Sequence, residues 1–307
     1  MSKQPAQNRR PNNPMQISGS GWKTIAFKIK DEVEGDNVAI VSAGVAFYAF
    51  LAVFPAIISL ISIYGLAMDP HQIQSQIAQL SSMMPQEAYG IIEKQVEEFS
   101  TTSGAALGWG TVIGILFSLW SANKGIKSLF TGVDIAYDTK NTRGFFKQNA
   151  LTLLFTLGAI VLVIVSMALI VAFPAFVDQI GLPSQIEGLI SWLRWVVLAL
   201  VVVFFLSLIY MHAPARARPK SKWVIAGAVL STILWLIASW GFSFYVSNFG
   251  SYGEVYGSLS AVVVLLMWLF LTSFIILLGA EVNSVIENYA KNAKPKDQYN
   301  NKNIKEK

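Results

Sequence analysis

The sequence predicts an all-α, polytopic membrane protein with six transmembrane helices and amphipathic interfacial helices, and three observations predict it. First, 54% of the 307 residues are hydrophobic and only 13% are charged, giving a mean hydropathy of +0.51. A soluble domain carries about a quarter charged residues, so this chain has too few to cover a polar exterior. Second, six apolar stretches reach the roughly 20 residues that a helix needs to cross a hydrocarbon layer about 30 Å thick. Third, 21 of the 23 Lys and Arg residues fall on one side of those stretches.

Residues 1–20 are rich in Pro, Asn, Gln and Ser without periodicity, which reads as a disordered cytoplasmic tail. No short apolar stretch ending in a small-residue cleavage site lies in the first 30 residues, so the first hydrophobic segment is expected to stay as an anchor. From Trp22 onward, Trp22, Ile25, Ile29 and Val33 keep helical spacing with Lys23 and Lys30 off the stripe. That pattern predicts a basic interfacial helix, with a short soluble amphipathic turn as the alternative. The six spans are placed at 39–66, 105–122, 148–173, 186–211, 223–247 and 256–280. Pro55 lies inside the first, where the loss of a backbone donor kinks a helix unless a neighbour repairs the exposed carbonyl. In the first outer loop Ile73, Ile77, Leu80 and Met84, then Ala88, Ile92, Val96 and Phe99 after Pro85, predict two amphipathic helices that cap the bundle or gate an outer cavity. Residues 21–290 thus form one membrane domain, followed by a disordered basic cytoplasmic tail over 291–307.

The basic residues cluster before the first span, over 123–147, over 212–222 and after 281, whereas the alternate loops hold Lys94 and most of the excess acid. By the positive-inside rule both termini are cytoplasmic, which requires an even number of spans. Spread in this way, the net charge of +5 forms no single basic patch, so nucleic acid is not an expected partner. Zero cysteines exclude iron–sulfur and zinc–thiolate sites, and two histidines leave no set for a transition metal. No P-loop is present, so no cofactor is expected and the chain is not its own ATPase.

Three stretches carry a resemblance: SAGVAFYAFLAVFP (42–55), LWSANKGIKSLFTGVDIAY (119–137) and WLIASWGFSFYVSNFGSYGEVYGSLSAVVVLLMWLFLTSFIILLGAEVNSVI (235–286). With them the chain resembles the YihY/BrkB family of bacterial inner-membrane proteins over roughly 40–290. The resemblance implies a six-span inner-membrane protein, associated in some members with virulence or serum resistance; other members bear a ribonuclease BN label. The residues argue against an enzyme of that kind. A metal-dependent nuclease needs clustered His and carboxylate ligands, yet His71 and His212 fall on opposite sides of the membrane. Asp134 and Asp138, four apart beside Lys127, read as a solvated helix face.

The residues that remain for function are few. Arg194 sits about eight residues, roughly 12 Å, inside the fourth span between Trp192 and Trp195, either in an interfacial belt or as a contact for an anion or lipid phosphate. Glu281 ends the sixth span beside Gly279, Ala280, Asn283 and Ser284; a structural ion pair with Lys124, Lys127 or Arg218 competes with a proton or ion relay. Lys124 and Lys127, one turn apart after Trp120, are either positive-inside charge or a site for anionic headgroups. Asn248 and Tyr252, with Ser251 and Glu254, belong to a glycine- and aromatic-rich link that forms an interfacial hairpin or lines an outer entrance. Gly104, Gly108, Gly110 and Gly114 predict a closely packed second span. The reading that follows is a membrane transporter or lipid-handling protein whose partners are membrane lipids, anionic headgroups included. A non-transporting envelope scaffold is the alternative, with envelope proteins or further copies of the chain as partners.

Overall fold

In lipid every backbone N–H and C=O must be satisfied within its own segment, so long apolar runs fold as uninterrupted helices. The computed structural model describes residues 14–67, 104–173, 177, 184–215, 221–248 and 259–292, and among these the structure is helical. A single turn at Pro14–Gln16 precedes α1 (Gly19–Gly35), whose first turn is capped where Ser18 Oγ accepts the Gly21 N–H at 3.2 Å. Then come α2 (Val38–Ala67), α3 (Gly104–Ala136), α4 (Phe145–Met167, widened into a π turn at Ala168–Ala172), α5 (Ser184–His212), α6 (Ser221–Asn248) and α7 (Leu259–Asn292).

Helices α2 to α7 fall on the six expected stretches. Four are long and apolar enough to cross a membrane among the described residues: Phe145–Ile170, Trp192–His212, Trp223–Val246 and Ser260–Lys291. A fifth is added if α1 and the Val38–Val53 part of α2, bent by 60°, count as one broken span. The expected count of six is therefore four or five by this measure. Both α3 and α7 run 12 or more residues past their expected ends because their polar lower turns are packed inside the bundle, where helix remains the cheapest way to pair the backbone. Pro55 does not interrupt α2. The two amphipathic helices expected within 73–99 and the link around Tyr252 lie outside the described residues.

The joint between α1 and α2 is a two-residue elbow, Asp36 and Asn37. Asn37 adopts φ 51, a left-handed conformation that costs most residues, and its side-chain amide donates to Gly35 O at 3.2 Å. Asn37→Gly is expected to leave stability within a few tenths of a kcal/mol, whereas Asn37→Val should cost about 1 kcal/mol or more. Thermal unfolding of the two variants side by side checks this.

Packing is concentrated at the basic end. Phe130, Val133, Ile209, Tyr210, Val224, Ala228, Leu277 and Ala280 form the centre of one buried cluster, and Ile25, Trp223, Val285 and Ile286 form a second beneath α1. Helix α7 is the hub, packing against α6, α2, α1 and α3. Elsewhere large apolar side chains face outward, among them Ile113, Leu116, Phe146, Ile164, Phe204 and Trp240, as lipid contact requires. Close helix crossings fall at Gly132, between Val41 and Leu277, and at Gly227 and Gly279, and α3 packs along α2; the surroundings of Gly104, Gly108 and Gly110 lie outside the described residues.

Candidate functional site

The polar side chains that the apolar helices bury collect near the basic end. Where α6 crosses α7, neither Gly227 nor Gly279 carries a Cβ, and the backbones come close enough for side chains to reach across. Asn283 Oδ1 accepts the Gly227 N–H at 2.7 Å while its Nδ2 donates to Val224 O at 3.1 Å. Tyr210 on α5 donates to Ile276 O at 2.6 Å and lies 3.1 Å from Ser231 Oγ, which also donates to Ile275 O at 3.1 Å. Three helices are thereby pinned by bonds to backbone carbonyls that a helix normally reserves for itself.

Glu281, between Gly279 and Asn283 of this crossing, is 1% exposed. Its expected basic partners lie elsewhere: Lys127 donates to Asn149 Oδ1, Lys124 sits over the Trp120 ring, and Arg218 is outside the described residues. The group within hydrogen-bonding reach of its carboxyl is the carboxyl of Asp36. The ion pair with Lys124 or Lys127 is not formed, because the elbow, and not the lysine face of α3, closes over this turn of α7.

Asp134 is also buried, at 5% exposure, which corrects the reading of Asp134 and Asp138 as one solvated face. Helix α3 stops at Ala136 and Asp138 takes φ 51, so the two no longer share a helical face. Asp134 Oδ1 accepts the Ala215 N–H at 2.7 Å and the Thr139 hydroxyl at 3.0 Å. Burial holds this carboxyl above the ordinary range, and those two bonds and the Arg143 charge act against the shift. Arg143 spreads its guanidinium over the carbonyls of His212 (2.8 Å), Ala213 (2.8 Å) and Pro214 (2.7 Å), which are left without partners where α5 ends. His212 is part-buried against Phe155, with Nδ1 2.9 Å from Leu208 O.

Lys124 and Lys127 stand one turn apart on α3. The Lys124 ammonium lies 5.5 Å from the Trp120 ring centre, and Lys127 is steadied by Asn149, whose amide donates to Phe145 O at 2.7 Å. Phe145 and Phe146, with Lys147, project outward from the start of α4 beside them. Arg194 rests its guanidinium 5.6 Å from the Trp195 ring centre, and its buried Nε meets no acceptor among the described residues. Eighteen residues separate it from His212, about 27 Å along α5, so it belongs to the opposite end from the lysines. Asn248 closes α6, and Tyr252 falls outside the described residues. No group of three His, Cys, Asp or Glu residues that could hold a metal ion occurs among the described residues. Sequence reasoning missed Asp36, Asn149, Arg143 and the Asn283–Gly227 clamp; only the last had a local signal, the Gly–Ala–Glu–Val–Asn run at 279–283.

Comparison with known proteins gives the family. The pattern of the virulence factor BrkB family matches residues 29–305. The chain is 30% identical over 259 residues to YfkH of Bacillus subtilis, whose name calls it ribonuclease-like, covering 81% of this chain and 90% of that protein. It is 25% identical over 203 residues to a UPF0761 membrane protein of Idiomarina loihiensis, covering 64% of this chain and 67% of the relative. A UPF0761 membrane protein of Xanthomonas campestris is 38% identical over 117 residues, 37% of this chain and 27% of that longer relative. No solved structure matches.

Proposed function

The chain belongs to the BrkB family of bacterial membrane proteins, and from that premise we propose that it binds and handles anionic lipid or a similar anionic amphiphile in the inner membrane, with both termini in the cytoplasm. The observation that carries this reading is the Lys124–Lys127 pair. Two ammonium groups one turn apart, one over Trp120 and one fixed by Asn149, stand beside the outward Phe145 and Phe146. Aromatic rings prefer the membrane interface, and cations at that depth attract anionic headgroups by about 1 kcal/mol each. The same end carries the other basic segments, which supports a cytoplasmic placement. Arg194, with the exposed Trp192 and Trp195, then lies at the opposite interface, in a belt that faces the outer headgroups. A catalytic role is not part of the proposal: the described residues bring together no nucleophile, base and charge-stabilising group, and the ribonuclease-like name belongs to YfkH.

Native mass spectrometry of the full chain released from gentle detergent tests this. A defined population of retained anionic lipid is expected, reduced several-fold in the Lys124→Gln/Lys127→Gln double variant and less by Arg194→Ala. Equal retention of anionic and zwitterionic lipid, or no change in the lysine variant, would overturn the reading.

A further inference from the structure

Two carboxyl groups in contact cannot both be ionised without repulsion, which grows where one of them is buried, and a hydrogen bond between them requires that one carry a proton. The joint between the elbow and the hub helix meets this condition. Glu281 is 1% exposed, its Oε1 meets no hydrogen-bond donor among the described residues, and its carboxyl lies within hydrogen-bonding reach of the carboxyl of the partly exposed Asp36. The further charges that face the pair have the same sign: Glu32 from α1 and Asp138 from the turn after α3. Among the described residues no base is paired with them. Lys28 is 3.6 Å from Glu32, Lys291 is 2.8 Å from Glu287 farther along α7, and among its described side chains α6 brings the Ser231 hydroxyl to the crossing, beside the Gly227 backbone. The Tyr210 hydroxyl from α5 is committed to Ile276 O. Burial holds the Asp36 carboxyl above its ordinary range, and the charges of Asp138 and Glu32 add to that while the bond with Glu281 acts against it.

We propose that Asp36 and Glu281 form a proton-binding site that holds one shared proton at the joint between the α1–α2 elbow and α7. The proton comes from water through Asp36, the exposed member, and returns the same way; only an O–H bond forms and breaks. With the proton in place the two acids tie the elbow to the hub. Without it, a pair of negative charges faces Glu32 and Asp138, and the elbow is pushed away from α7. The site stands whether or not the protein handles lipid.

Infrared difference spectroscopy of the full chain in lipid nanodiscs, recorded as pH is raised, reads the proton directly. At neutral pH the wild-type protein should show the C=O stretch of a protonated carboxylic acid that disappears toward alkaline pH. Glu281→Gln should abolish this band, Asp36→Asn should shift or abolish it, and Asp134→Asn, which alters the other buried acid at this end, should leave it in place. Should Glu281→Gln fail to fold, Asp36→Asn at the elbow carries the test. A wild-type spectrum without the band at neutral pH, a band unchanged in Asp36→Asn, or a band that vanishes with Asp134→Asn would overturn the proposal.

Discussion

Gly227→Ala is expected to destabilise the protein by about 3 kcal/mol or more, at the upper end of what overpacking a core does. A methyl group at this position meets the Gly279 carbonyl oxygen and the Asn283 amide. The first of these is backbone, so no rotamer change relieves the overlap, and α6 and α7 must separate. Separation also breaks the Asn283 clamp, which leaves the Gly227 N–H and the Val224 carbonyl unpaired in a buried site. The control lies on the same helix: an added Cβ at the exposed Gly241 meets nothing within 4 Å. Gly241→Ala should therefore be neutral or stabilise by up to about 1 kcal/mol through helix propensity. Thermal unfolding in detergent, followed by loss of the monodisperse species on size exclusion, separates the two. Equal behaviour of both variants would mean that the crossing is looser than described.

The contrast between these glycines shows what the sequence reveals and what it conceals. Hydropathy located the long helices α2 to α7, of which four, or five with the bent α1–α2 pair, are long and apolar enough to span among the described residues, because lipid imposes a length and an apolar composition that few other environments demand. Helix ends were less legible. The lower turns of α3 and α7 are polar enough to look like solvated flanks, yet Asp134, Ser284 and Glu281 are buried there, because neighbouring segments close over them. Nor does local sequence reveal partners across a bundle. Glu281 looked set to meet lysine, since Lys124 and Lys127 share its end of the membrane, but helix packing turned those lysines toward Trp120 and Asn149 and brought Asp36 in their place. Nor does the pair of small residues Gly227 and Gly279, far apart in sequence, announce a crossing until α6 is known to face α7.

Arg143 is the second residue whose loss should be felt strongly. The segment His212–Ala215 leaves α5 with three carbonyls pointing into a part-buried space, and a single planar guanidinium covers all three at 2.7 to 2.8 Å. Bonds to a charged donor are worth about 1.5–3 kcal/mol each, but these share one group and relax together, so Arg143→Ala is expected to cost about 3 kcal/mol in total. Arg143→Lys should recover only part of that, because an ammonium on a flexible stem has no fork with which to span three acceptors. Asp134 holds the same segment from the other side through the Ala215 N–H. Asp134→Ala should therefore destabilise as well, while Asp134→Asn, which keeps an accepting oxygen, should be close to neutral. Because the segment comes free when either hold is lost, the Arg143→Ala/Asp134→Ala double variant should lose at least about 1 kcal/mol less than the sum of the single losses. Thermal unfolding of the four variants measures this. Strict additivity would show that the two residues act on separate segments, and that Arg143 caps α5 without fixing where the chain goes next.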